Sequence, residues 1–317
     1  MNYKSFVIGG AGFIGSNLVQ RLSSLGHDVT VVDDLSSGRV SFLSPYIKFI
    51  HCDITRSDKL LTLGLENADF VFHLAAQFAN DLSTRIPMSD AFTGTIGTIN
   101  LLQILKDSKR LKKLIYASSS CVYGNGANPT MHENDKLRPV ETPYAIQKYV
   151  GELYTEFYNN YFDCPSVSVR IFNTYGPHEV SSENRNVTSK FIEAALKDAP
   201  LYITGNGEER RDYTYVFDTV DLLVKCAYSS REFNGRVFNA GTGETTRTID
   251  LARKILDISG SKSEIIYKPK RDWDHVNFRC SDITAAKQDL GYAPKVDLNA
   301  GLTKTINWYR DFLCIGA

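Results

Sequence analysis

Tyr144 and Lys148 stand four residues apart in TPYAIQKYVGELYTEFY, a stretch with helical periodicity. On a helix that spacing puts both side chains on one face. There a lysine ammonium can stabilise a tyrosinate and lower the phenol pKa, making the tyrosine a usable base near neutral pH. The spacing alone says little, because among 17 tyrosines it is expected about once by chance. Tyr144 is the only tyrosine in the chain that has it. Upstream, Ser118-Ser119-Ser120 closes an apolar run. A hydroxyl there can hydrogen-bond a substrate hydroxyl and position it for removal of a proton and a hydride. A serine-rich strand end is commonplace by itself; its company gives it meaning.

That company begins at the first apolar run, which leads into Gly9-Gly10-Ala11-Gly12-Phe13-Ile14-Gly15 and then helix-compatible Ser16-Asn17-Leu18-Val19. Glycines let a backbone turn sharply and approach a pyrophosphate, whose charge then meets the dipole of the following helix. Glycine also marks ordinary tight turns, so the context decides. Asp33 ends the second apolar run 18 residues beyond Gly15, where a carboxylate accepts hydrogen bonds from adenosine ribose hydroxyls. It would repel a 2′-phosphate, which favours NAD over NADP. Two spacings fit, Gly10-x-Gly12-x-x-Gly15 and Gly9-x-x-Gly12-x-x-Gly15.

The elements that must position these groups repeat one pattern. Short apolar runs, Ser5–Ile8, Val29–Val32, Ile47–Ile50, Phe70–Leu74, Leu114–Ala117 and Val167–Ile171, suit strands buried on both faces of a parallel sheet. Between them, Ser16–Leu25 and Thr95–Leu105 carry apolar residues at helical spacing. The alternation predicts a Rossmann-type, doubly wound α/β fold whose ligands sit beyond the carboxyl ends of the strands. From about Tyr175 the alternation loosens, which predicts a smaller C-terminal α+β substrate-binding region. The expected division is 1–174 for the dinucleotide domain and 175–317 for the substrate domain, with a strand over Val237–Asn239, within 236–240, returning to the sheet.

Composition narrows the partners. The 317 residues carry 36 basic and 36 acidic side chains, so there is no global field to hold nucleic acid or an anionic membrane. The basic run Lys106, Lys109, Arg110, Lys112 and Lys113 closes a helical stretch and complements its dipole. No apolar stretch approaches the roughly 20 residues needed to span a bilayer, and the N-terminus enters a glycine turn too soon for a signal peptide. Six cysteines without a CxxC pair, and six dispersed histidines without HExxH, predict reduced thiols and no metal site. Asn186-Val187-Thr188 matches a glycosylation triplet, which means little without a secretion signal. The expected location is cytoplasmic.

With these residues assembled, the chain resembles an extended short-chain dehydrogenase/reductase of the NAD-dependent nucleotide-sugar epimerase and dehydratase family. The pieces that match are GGAGFIGSNLV, Asp33, Cys52-Asp53-Ile54, HLAAQ, SSSCVYG, PYAIQK, RIFNTYGP, GNGEERRDYTYV, FNAGTG and RDWD…D…LGY, in family order over nearly the whole chain. The resemblance prefers the Gly9/Gly12/Gly15 spacing. It implies Gly9, Gly12, Phe13, Ile14 and Gly15 at the pyrophosphate, Asp33 at the ribose, and Asp53 and Ile54 beside the adenine. Leu74, Ala75 and Gln77 would lie along the cofactor. Tyr144 and Lys148 become the catalytic pair, Lys148 also on the nicotinamide ribose, and counting back from Val122-Tyr123-Gly124 makes Ser119 the third catalytic residue. For the sugar nucleotide it implies Asn173, Asn186, Val187, Arg211, Arg271 and Asp274. The helices of Thr95–Leu105 and Tyr144–Tyr161 form a dimer bundle in this family, so a homodimer is expected.

Departures from the pattern select the reaction. Dehydratases of this family follow the catalytic threonine with Asp and Glu, and the decarboxylases use a glutamate at the second position. Here the two positions are Ser120 and Cys121. What remains is an NAD-dependent epimerase of a nucleotide-diphosphate sugar that oxidises C4 and returns the hydride without stereospecificity. An NAD-dependent nucleotide-sugar dehydrogenase or ketoreductase is the alternative. A family asparagine after the fourth strand is replaced around Thr93-Gly94. Phe278, Arg279 and Cys280 are the candidates for gating sugar size, and the nucleobase, the sugar and the inverted carbon stay open.

Overall fold

The computed structural model describes residues 3–77, 80–125, 129–182, 186–270 and 276–315, with 80 and 81 described by backbone only. Every apolar run named above becomes a strand: β1 (Lys4–Ile8), β2 (Asp28–Asp33), β3 (Lys48–His51), β4 (Phe70–His73), β5 (Lys113–Ser119), then Ser166–Ile171 and Val237–Ala240. All pair in parallel, in the order Val237–Ala240, Ser166–Ile171, β5, β4, β1, β2, β3. The chain therefore winds one way from β1 to β3 and the other way from β4 outward. The switch point lies between β1 and β4, where a crevice opens beyond the strand ends in such sheets.

Apolar packing covers the sheet on both sides, which explains why its strands read as unbroken apolar runs. On one face Leu18, Val19 and Leu22 of helix α1 (Phe13–Ser24) meet Val220, Leu223 and Val224 of helix Val216–Ala227. On the other, Leu101, Leu102 and Leu105 of helix Gly97–Leu105 pack with Tyr158 of helix Pro143–Phe162. A third cluster, including Phe191, Ile203, Ile255 and Tyr309, forms the core of the C-terminal region. That region contributes short strands around the crevice: Arg210–Arg211 lies between Thr246–Arg247 and Phe278–Ser281, and Phe278–Ser281 also pairs with Thr130–Met131.

Helix boundaries differ from the periodicity in two places. α1 begins at Phe13 rather than Ser16, directly on Gly12. The helix expected over Thr95–Leu105 is preceded by a π-helical segment, Ala91–Ile96, continuous with the turn Pro87–Asp90. Such wide turns concentrate at functional sites, and this one faces the crevice through Thr93.

Candidate active site

Beyond the carboxyl ends of the strands lies a cavity of about 1030 Å³, ample for a bound small molecule or cofactor. Its floor begins at the glycine turn. Gly9 has φ +79° and its amide donates to Val32 O at 2.8 Å. A Cβ at Gly9 would stand 2.6 Å from Ala75 N, and one at Gly15 would stand 2.2 Å from Gly9 O. Both contacts are with backbone, so no side chain fits, and α1 starts against the turn with no side-chain cap on its first amides. Uncapped amides at a helix N-terminus, reached over side-chain-free backbone, are a cradle for phosphate. Gly9, Gly12, Phe13, Ile14 and Gly15 all line it, whereas Gly10 is buried against Val31 and does not. The Gly9/Gly12/Gly15 spacing is therefore the one that faces the cavity.

Asp33, at the end of β2, accepts from the backbone amides of Ala11 (2.9 Å) and Leu35 (2.8 Å). Burial raises its pKa, with those two hydrogen bonds acting in the opposite sense. Its carboxylate lines the cavity beside Asp53 and Ile54, opposite Leu74, Ala75 and Gln77 at the end of β4. Gln77 Oε1 accepts from Ser89 Oγ at 2.8 Å. The donor cradle and the carboxylate 18 residues further on suit the pyrophosphate and adenosine ribose of NAD. The missing family asparagine also has an explanation. A Cβ at Gly94 would fall 1.5 Å from Gln147 Oε1, so the buried Gln147 side chain occupies that space.

The reactive groups converge at the end of β5. Ser119 is its last residue, and Ser119 Oγ accepts from Cys121 N at 3.2 Å as the chain enters a single 3-10 turn. Helix Pro143–Phe162 starts cleanly: Thr142 Oγ1 accepts from Ala145 N at 3.2 Å, and Pro143 occupies the first position, where its missing N–H costs nothing. Tyr144 N donates to Ser83 Oγ at 3.3 Å. One turn on, Lys148 Nζ donates to Ala117 O of β5 at 2.7 Å and stands 5.9 Å from the Tyr144 ring centroid. Ser119, Tyr144 and Lys148 all line the cavity.

The enclosing walls push the Tyr144 phenol above its ordinary pKa, and the neighbouring Cys121 adds to this while the Ser119 hydroxyl opposes it. Lys148 spends one of its three donors on Ala117 O. Burial lowers Lys148 to about 8, against the raising influence of Asp90 and Glu152. Burial likewise raises Asp90 to about 6, with Lys148 and Ser83 opposing. His73, under the same wall, is lowered to about 3 by burial and by Lys148, so it is neutral at physiological pH.

Behind the triad, Arg170 Nε and Nη2 donate to Glu152 Oε1 (3.0 Å) and Oε2 (2.9 Å), and Ser118 Oγ donates to the same Oε1. Arg170 Nη1 also donates to Tyr123 Oη at 3.0 Å. This buried pair ties β5, the long helix and strand Ser166–Ile171 together. Glu152 is not among the residues expected from the sequence, although its position one turn beyond Lys148 puts it on the same helical face. Asp90 carried no signal beyond an acid in a helical stretch.

Asn173, Asn186, Val187 and Arg211 also line the cavity. Asn186 Nδ2 donates to Thr174 O at 3.2 Å, and the residue precedes helix Val187–Leu196. Arg211 Nη2 donates to Val276 O at 2.7 Å. Arg271 and Asp274 lie outside the described residues. Of the three gating candidates only Arg279 lines the cavity, because alternate residues of a strand face opposite ways. Among the described residues no cluster of His, Cys, Asp or Glu could hold a metal ion, all six cysteines are unpaired, and no helix is long and apolar enough to cross a membrane.

A doubly wound sheet with a glycine phosphate cradle at its switch point, and a serine, tyrosine and lysine meeting at the next strand end, defines an NAD-dependent enzyme of the short-chain dehydrogenase/reductase type. The chain belongs to the NAD dependent epimerase/dehydratase family, whose model matches residues 5–241. It is 34% identical over 313 residues to the UDP-glucose 4-epimerase of Mycolicibacterium smegmatis, covering 97% of this chain and 99% of that one. It is 32% identical over 323 residues to the UDP-N-acetyl-alpha-D-glucosaminuronate decarboxylase of Bacillus cytotoxicus, covering 98% and 99%. Among solved structures it resembles the Thermotoga maritima UDP-glucose 4-epimerase with UDP-glucose, with TM-score 0.93, 35% identity and 98% and 99% coverage.

Proposed function

We propose that the protein is an NAD-dependent epimerase of a nucleotide-diphosphate sugar, inverting C4, and that the nucleotide is UDP. The observation that carries this reading is the composition of the β5 end. Ser119, Tyr144 and Lys148 converge there, while the next two residues, Ser120 and Cys121, offer no carboxylic acid for elimination or decarboxylation. The relatives named UDP-glucose 4-epimerases support the reaction and the nucleotide.

Gly9, Gly12, Phe13, Ile14 and Gly15 would hold NAD at its pyrophosphate and Asp33 at its ribose, and NAD bound there would supply the chemistry of accepting and returning a hydride at C4. Asp53, Ile54, Leu74, Ala75 and Gln77 complete its binding surface. Tyr144 Oη removes the proton of the C4 hydroxyl and later gives it back, and Ser119 Oγ hydrogen-bonds the same oxygen. Lys148 contributes positive charge that favours the tyrosinate. Asn173, Asn186, Val187 and Arg211, with Arg271 and Asp274, hold the nucleotide and its diphosphate while the 4-keto sugar turns to present its other face. Residues 1–174 with the strand in 236–240 form the cofactor half in this reading, and 175–317 the sugar half.

Stoichiometry tests it. Incubation with UDP-glucose and chromatographic separation of the gluco and galacto epimers is expected to show interconversion with no net NADH. Accumulating NADH would instead make the protein a dehydrogenase. A homodimer belongs to the same proposal, supported by apolar side chains left exposed on helix Pro143–Phe162: Ile146, Leu153, Phe157 and Tyr161. So does a cytoplasmic location, supported by six unpaired thiols and checked by cell fractionation.

A further inference from the structure

Arg279 is a buried cation that the reaction above leaves unused. It lies on strand Phe278–Ser281 with 8% of its surface exposed, opposite Arg211 in the parallel pairing with Arg210–Arg211. Both guanidiniums line the cavity, but they differ in what they hold. Arg211 donates to two backbone carbonyls, Val276 O at 2.7 Å and Arg210 O at 3.0 Å. Arg279 reaches only Cys121 Sγ and Gly124 O, both at 3.5 Å, and its buried Nε has no partner. Among the described residues no carboxylate lies within ion-pair distance of it.

A guanidinium carries five N–H donors in a planar fork and stays charged at any physiological pH. Leaving it buried with two long contacts is unfavourable unless a ligand completes it. Location says which part of the ligand that is. Cys121 is two residues from Ser119 and donates its amide to the Ser119 hydroxyl, so the Arg279 head group stands at the reacting end of the cavity. A sugar hydroxyl brings no charge to offset the guanidinium, whereas a carboxylate brings both the charge and a matching pair of acceptors.

We propose that Arg279 binds a carboxylate on the sugar ring, so that the preferred substrate class is a nucleotide-linked uronic acid, taken in preference to a neutral hexose. This rests on the epimerase reading for the placement of the sugar beside Ser119. The reaction is otherwise unchanged. Hydride leaves C4 and returns, the O4 proton goes to Tyr144 and back, and the C5–C6 bond is not broken, its electron pair remaining shared between C5 and the carboxylate carbon that Arg279 holds in place.

The test uses the NAD-loaded protein and three probes: UDP-glucuronate, UDP-glucose and UDP, with binding read by calorimetry. The wild type is expected to bind UDP-glucuronate about 10²-fold more tightly than UDP-glucose. Arg279→Gln should lose that factor for UDP-glucuronate while changing UDP-glucose and UDP by less than about 3-fold, and Arg279→Lys should recover part of it. Retention of NAD and an unchanged melting transition show that the variants are folded. Equal binding of the two sugars by the wild type overturns the proposal. So does a uniform loss for all three probes in Arg279→Gln, which would assign Arg279 to the diphosphate. Turnover is read separately, from the epimer and the mass of the product. A carboxylate preference without epimer formation, or with loss of CO2, upholds Arg279 and removes the epimerase reading instead.

Discussion

Tyr144 faces a physical problem that its own environment does not solve. Its phenol is held above the ordinary range by burial, and the nearby ammonium is bound to Ala117 O. In the proposed mechanism the proton therefore leaves only when substrate, Lys148 and the oxidised nicotinamide are assembled. Replacing Tyr144 by Phe is expected to lower turnover by about 10²–10⁴-fold, the scale of a lost general acid–base; near wild-type turnover removes Tyr144 from the mechanism. The pH profile tests Lys148. With its pKa lowered to about 8, the ammonium is present below that value and lost as pH rises through it. Activity should therefore fall on the alkaline side near pH 8. Asp90 raises the Lys148 pKa, so Asp90→Asn should move this alkaline limb to lower pH while leaving the fold intact by circular dichroism. An unmoved limb would separate Asp90 from the triad.

The elements that carry these residues are locked by polar contacts rather than by apolar packing alone. The Glu152–Arg170 pair, with side chains 5% and 4% exposed, joins the long helix to strand Ser166–Ile171, and Ser118 connects it to the strand that ends in Ser119. Removing one partner strands the other charge in a buried site, which costs about 3–5 kcal/mol. Glu152→Ala is accordingly expected to lower the unfolding free energy from a denaturant titration by that much, and a change within about 0.5 kcal/mol would show that the pair is dispensable. The turn between β1 and α1 is rigid for a different reason. Its glycines press backbone against backbone, leaving no room for even a methyl group at Gly9 or Gly15.

At the scale of the molecule, one helix serves two surfaces. The Tyr144, Lys148 and Glu152 face of Pro143–Phe162 points at the site, while Ile146, Leu153, Phe157 and Tyr161 point outward, Phe157 with 50% and Tyr161 with 72% of its surface exposed. Together with exposed Phe92 and Ile96 on the adjoining helical segment, they form an apolar stripe of the kind that marks an association surface. Sedimentation should show a dimer for the wild type and a monomer for a Leu153→Glu, Phe157→Glu double variant. Equal mass for both would place any interface elsewhere.

The sequence by itself determined the sheet, the phosphate turn and the triad. Strands buried on both faces must be written as contiguous apolar runs, so seven of them could be read directly. Tyr144 and Lys148 follow helical spacing, and Gly9, Gly12 and Gly15 answer a local steric demand within seven residues. The tertiary structure alone decided what depends on distant segments meeting. Gln147 fills the space over Gly94 from another helix, Asp90 reaches the Lys148 environment through a π-helical detour, and Arg279 arrives beside Cys121 from 158 positions away. No local rule couples such residues. Their chemistry is set by which partners the packed sheet brings within a few ångströms, and by how little water is left between them.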